Sequence, residues 1–140
     1  MRLLTATTAA LLAACALRGN AGQPVDYGRL YAAIAAVESD GGTTSDNRYQ
    51  LTELWLADLE RIMGCKVNRP HLRTNAKAAE EAMLVYWAYY TSRYVARTGR
   101  PVSAEILAKI HRVGYAGLWR KPRTAENYWR RVRKHYERGN

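Results

Sequence analysis

NAKAAEEAMLVYWAYYTSRYVART, residues 75–98, decides the fold. The stretch is rich in Ala before Tyr86-Trp87-Ala88-Tyr89-Tyr90 and is closed by Gly99-Arg100-Pro101, so it reads as one long helix from Asn75 to about Thr98. Its apolar residues cover more than one face, which marks the buried spine of a helical domain and not a surface element.

The segments on either side have the same period. Asp26 is placed to cap a first helix whose stripe is Leu30, Ile34 and Val37, a spacing that puts all three on one face. Thr52 caps a second helix carrying Leu54, Trp55, Leu59, Ile62 and Met63 and ended by Gly64. Ser103 begins a fourth helix with Ile106, Leu107 and Ile110, and Thr124 a fifth with Tyr128, Val132 and Tyr136. No alternating strand pattern, internal repeat or low-complexity tract interrupts them. The expected fold is all-α, with little or no sheet.

Length and composition allow one domain of about a hundred residues. There is no Phe, and ten Tyr and four Trp carry the aromatic volume of a chain that is 48% hydrophobic. Such side chains suit a cleft wall, although most should serve the core. Residues 1–14 read as an export signal: Arg2 precedes the apolar run Leu3–Ala14, too short for a permanent membrane span. Leu12-Ala13-Ala14-Cys15 resembles a bacterial lipoprotein signal, in which Cys15 becomes the lipidated N-terminus; the alternative is a secretory signal cut between about Ala14 and Ala21. Residues 15–24 then form a tether and residues 25–140 the domain. An exported product at the periplasmic or cell surface is expected, held to a membrane through Cys15.

With Cys15 lipidated, Cys65 is the one thiol left, so no internal disulfide is possible, and a buried small hydrophobe is the expected role of Cys65. His71, His111 and His135 are too scattered for a metal, and no glycine-rich phosphate loop follows a strand pattern; neither metal nor cofactor is expected. The formal charge is +10; the 22 basic residues less Arg2, against 12 acidic ones, leave +9 after removal of the leader. The excess lies in residues 118–140, where Arg120, Lys121, Arg123, Arg130, Arg131, Arg133, Lys134 and Arg138 face only Glu126 and Glu137. In a cytoplasmic protein this balance would suggest nucleic acid. An exported one meets wall polymers and anionic lipid instead, so no nucleic-acid partner is expected.

Glu38 is the candidate for chemistry. It closes the apolar stretch Tyr27–Val37 and precedes Ser39-Asp40-Gly41-Gly42, which no helix is expected to cross. Apolar neighbours behind a carboxyl favour the protonated form that a general acid needs, and an open turn in front admits a substrate.

Four separated pieces complete the pattern: Glu38-Ser39; Arg48-Tyr49-Gln50-Leu51-Thr52 after a glycine-bearing loop; Ala108-Lys109-Ile110-His111-Arg112-Val113-Gly114-Tyr115-Ala116-Gly117; and Thr124-Ala125-Glu126-Asn127-Tyr128-Trp129-Arg130-Arg131-Val132. In order and spacing they resemble the lysozyme-like superfamily, in particular the invertebrate-type lysozymes and their bacterial relatives, and more distantly the soluble lytic transglycosylases. The resemblance covers Tyr31 to Tyr136. It implies a mainly helical lysozyme-like domain, a monomer, acting on peptidoglycan glycan strands, with Glu38 as the general acid that protonates the glycosidic oxygen. It implies further that Tyr49 and Gln50 line the cleft, that His111, Gly114 and Tyr115 belong to the turn on the opposite side, and that Tyr128 sits over the acid.

The departures are equally specific. The family's Gly-Pro before the Tyr is Asn47-Arg48 here, and its Asn-Gly-Gly-Pro turn is Arg112-Val113-Gly114-Tyr115. A second catalytic carboxylate would come from the loop after Glu38, with Asp46 a better candidate than Asp40. Two functions are thus expected: a muramidase or lytic transglycosylase, or a catalytically impaired lysozyme-fold protein that binds wall glycan or a protein partner.

Overall fold

The structure, a computed structural model, describes residues 23–39 and 46–139. The leader expected over residues 1–14, Cys15 and Asp40 lie outside the described residues. Six helices follow one another: α1 (Tyr27–Glu38), α2 (Glu53–Met63), α3 (Arg69–Thr74), α4 (Ala76–Thr98), α5 (Ala104–Arg120) and α6 (Pro122–Arg138). The fold is all-α, with no strand among the described residues.

Capping chemistry sets most of the boundaries. Asp26, Thr52, Asn75 and Ser103 each accept a hydrogen bond from the backbone N–H three residues on, satisfying a donor that the first turn leaves open. Gly64 and Gly99 close α2 and α4 in the left-handed conformation. Two boundaries depart from the sequence expectation. The last helix starts at Pro122 and not Thr124, because a proline ring already holds the φ of a first helical residue. The short α3, capped by Asn68, has no buried residue and so no apolar stripe to announce it. Cys65 corrects a third expectation: it is exposed, since Gly64 turns the chain outward at the end of α2.

The long α4 is the spine. Trp87 at its centre is fully buried and stacks on Tyr31 of α1, with centroids 5.7 Å apart and planes at 10°. Trp55 of α2 stacks on Tyr86 at 4.6 Å. Leu30, Ile34, Met83, Leu107, Ile110 and Val132 fill the remaining centre, all fully buried. Each such side chain contributes roughly 1.5–3 kcal/mol by leaving water. The other face of α1 packs on α6, which also packs on α5.

Two devices position the loop and helix that later form the site. Glu60 of α2 is buried and binds Arg69 and Lys66, and those cations hold its carboxyl down at about 2. Glu53 meets Arg69 and Arg73 as well, so α3 is clamped to α2 by ions, with half-buried Leu72 packed against the core. From α3 the carbonyl of Arg73 then accepts from the Asn47 N–H at 2.6 Å, fixing the end of the loop that follows α1. The second device is Gly114, at φ 73° and ψ 169° inside α5, a region that side chains with a Cβ hardly enter. It breaks α5, so that Tyr115 and Trp119 run along α4 in the same sense as Tyr90 and Arg97.

Candidate functional site

Glu38 is the last residue of α1. Its neighbour Ser39 seals the helix end by donating both N–H and hydroxyl to the Ala35 carbonyl, the latter at 2.7 Å. Arg131 of α6 donates to the Val37 carbonyl at 3.3 Å, placing a cation at the negative end of the helix dipole. The Glu38 side chain is only 9% exposed.

Three side chains from α5 and α6 converge on that carboxyl. Arg112 brings Nη1 to 3.9 Å from Oε2, an ion pair beyond direct hydrogen-bond length, and its guanidinium lies 5.7 Å from the Tyr128 ring centroid. Tyr128 is buried, and its hydroxyl has no hydrogen bond of ordinary geometry. Burial, and secondarily the Glu38 charge, push this phenol far above its usual range, so it keeps its proton at any working pH. His111 is buried too. Its Nε2 lies 2.9 Å from the Tyr49 carbonyl oxygen, which can only accept, so Nε2 carries the proton. Nδ1 is then a bare lone pair, buried and without a partner. Burial lowers the basicity of this imidazole, outweighing the opposing pull of Glu38 and of the carbonyl; it is neutral at pH 7.

The approach to the site is the turn at residues 46–50. Asn47 and Gln50 both hold positive φ, 46° and 50°. Asn47 suits its place, since asparagine is among the few side chains that tolerate this region. Its Oδ1 accepts from the Leu51 N–H at 2.8 Å, which holds the turn closed. Gln50 is exposed, with nothing comparable to relieve its backbone conformation, a kind of strain found at ligand-contacting positions.

The expected site residues therefore separate into two groups. Glu38, His111 and Tyr128 come together, joined by Tyr49 through its carbonyl. The Tyr49 ring, however, is buried against Tyr31, and its hydroxyl donates to Glu80. Gly114 acts through the break in α5, and Tyr115 stacks on Tyr90 at 5.2 Å. Asp46 is exposed at the start of the turn, with no hydrogen bond or ion pair to another described residue. Sequence reasoning missed Arg112, Arg131 and Asn47 as members of the site; Arg112 and Asn47 were visible as departures from the motifs that the sequence resembles.

Elsewhere, an open depression of about 420 Å³ between α2 and α3 is lined by Glu60, Cys65, Lys66 and Arg69, with its buried acid fully paired. Among the described residues no group of three His, Cys, Asp or Glu could hold a metal ion, and no helix is long and apolar enough to cross a membrane. Comparison with known proteins found no matching family model, no matching curated protein and no matching solved structure.

Proposed function

We propose that the chain is a lysozyme-like glycosidase that cleaves peptidoglycan, muramidase or lytic transglycosylase, with Glu38 as general acid. The observation that carries this reading is the setting of Glu38: a nearly buried carboxyl at a helix end, faced by the Tyr128 phenol and by Arg112 at 3.9 Å. A protonated Glu38 gives its proton to the glycosidic oxygen, and the carboxylate left behind gains the nearby guanidinium as a counter-ion. Tyr128, whose hydroxyl has no hydrogen bond of ordinary geometry to a described residue, donates to the reacting sugar or to Glu38. His111 stays neutral and holds the opposite wall through the Tyr49 carbonyl. It is a positioning residue.

The test is Glu38→Gln incubated with purified peptidoglycan, with soluble products resolved by mass. Cleavage should disappear while helix content stays unchanged, and the wild-type product, reducing or anhydro, assigns the reaction type. Undiminished cleavage by the variant removes Glu38 from the mechanism.

A second reading, a wall-binding protein without cleavage, is favoured by one observation. Asp46, the only described acid in the loop after Glu38, is exposed and has no hydrogen bond or ion pair to another described residue, so no described residue holds a second carboxylate in place. Saturable binding to peptidoglycan with no product under any condition would select it.

A further inference from the structure

The basic residues of 118–140 do not form one surface in the fold. On α6, Arg130 pairs with Glu126 at 3.5 Å, Arg133 with Glu137 at 2.6 Å, and Arg131 with the end of α1. A cluster of six uncompensated cations sits at the joint end of α4 and α5. Arg93 and Arg97 occupy the last turns of α4, Arg100 follows its cap, Arg120 ends α5, and Lys121 and Arg123 make the turn into α6. All six are exposed, and none has a carboxylate within ion-pair distance among the described residues. The two helix ends meet where the Arg97 guanidinium lies 3.8 Å from the Trp119 ring centroid. Arg93 lies in the same way 3.6 Å from the centroid of Tyr89.

Five of the six cations are arginines, whose planar fork matches phosphate oxygens and can stack on a ring while it binds them. Trp119 stands among them with 38% of its surface exposed, one of three large hydrophobic residues so placed. Base-stacking proteins offer open aromatic faces to nucleic acid. Here a guanidinium lies over Trp119 and another over Tyr89, which leaves ring edges amid cations. That combination fits the head-group zone of a bilayer, where tryptophan and basic side chains settle together.

We propose that the joint end of α4 and α5 is a docking surface for the phosphodiester head groups of an anionic phospholipid bilayer. The surface is distinct from the Glu38 site and does not depend on its chemistry. Arg93 and Arg97 are pre-placed on their rings, so they meet phosphate with little loss of side-chain freedom. Arg100, Arg120 and Arg123 add long-range attraction that salt screens.

The experiment is co-sedimentation of the full chain with phosphatidylcholine vesicles and with vesicles that also contain phosphatidylglycerol. Any partition driven by the apolar residues 3–14 is common to both, so the readout is the difference between the two. Wild-type chain should prefer the anionic vesicles and lose that preference at raised salt. R100E/R120E/R123E, whose side chains have no partner among the described residues, should reduce the preference at least about tenfold, given roughly 1 kcal/mol per basic residue at such a surface. K134E/R138E on α6 should change it less than about threefold. Trp119→Leu tests the aromatic part by itself, and circular dichroism verifies the fold of each variant. Equal partition to both vesicles, an unaffected R100E/R120E/R123E, or an equal loss in K134E/R138E would overturn the proposal. Binding to single-stranded DNA without binding to anionic vesicles would overturn it in favour of a nucleic-acid surface.

Discussion

His111 Nε2 and the Tyr49 carbonyl oxygen lie 2.9 Å apart, joining residues 62 positions apart in the chain. Through this bond a buried imidazole on α5 holds the turn before α2, and with it one wall of the Glu38 site. The bond needs a neutral ring with its proton on Nε2, so the site's geometry is tied to one protonation state.

That state makes stability depend on pH. The native imidazole resists protonation below the ordinary histidine value of 6.5, whereas the unfolded chain takes up the proton there. The unfolded state then binds more protons, so stability is fully present above about pH 6.5 and falls as pH drops below it, by at most about 1.4 kcal/mol per unit. Glu53, Glu60 and Glu126 are held below their usual value of 4.5, so their losses set in only at lower pH. Urea midpoints measured from pH 7 to 5 should fall for the wild type and stay flatter for His111→Gln, whose amide can still donate to Tyr49. Parallel pH curves would show that His111 is not the titrating group.

Tyr128 and Asp46 should differ in what their loss does. The Tyr128 hydroxyl is buried without a hydrogen bond of ordinary geometry, so Tyr128→Phe should leave the thermal midpoint unchanged or raise it. If the hydroxyl donates to the reacting sugar or its acid, cleavage of peptidoglycan should fall by about tenfold, the scale of one lost hydrogen bond. Asp46→Asn should change cleavage less than about threefold, since no contact with a described residue holds that carboxylate. A reversed ranking would point to a two-carboxylate lysozyme mechanism.

Gly114 should tolerate no side chain. Apart from its chain neighbours and the nearby backbone of its own helix, a Cβ at this position meets no atom within 4 Å, so the cost of Gly114→Ala comes chiefly from φ 73° and ψ 169°, on the order of 1–3 kcal/mol. Gly117 makes the contrast: its added Cβ would lie 2.6 Å from the Cβ of Val113. Val113→Ala keeps that Cβ and removes only the Cγ atoms, the nearer at 2.9 Å, so it should relieve the cost of Gly117→Ala in part only. Denaturant midpoints of Gly114→Ala and of the four combinations of Val113→Ala with Gly117→Ala decide the matter.

Cys65 should react in the folded protein. It is exposed just beyond α2. In a Cys15→Ser background, a maleimide should label it to completion under native conditions, with no change in thermal midpoint. Labelling only after denaturation would place it in the interior.

Local chemistry made the helices legible in the sequence. Asp26, Thr52, Asn75 and Ser103 start helices because their side chains satisfy a backbone donor three residues away, and Gly64 and Gly99 end them because only glycine turns left-handed without penalty. The apolar surplus of residues 75–98 likewise required burial, which α4 obtains on one broad face through Met83, Tyr86, Trp87 and Tyr90, with Leu84, Val85 and Tyr89 half-buried beside it. By contrast α3 was illegible, since one half-buried Leu72 makes no stripe and the ions of Glu53 and Glu60 that hold it come from another helix.

What the sequence by itself determined, then, is the all-α fold, most of its boundaries, and Glu38 at the end of the first helix. Only the tertiary structure decided that Arg112 stands beside that carboxyl, that Tyr49 faces the core and lends the site its carbonyl, and that Arg93, Arg97 and Arg100 join Arg120, Lys121 and Arg123 at the end of α4 and α5. Caps and stripes act over three or four residues, where spacing fixes geometry. Pairing between Glu38 and Arg112, or between Arg97 and Trp119, depends on the angle at which helices cross and on one glycine's break in α5, and no local spacing encodes these.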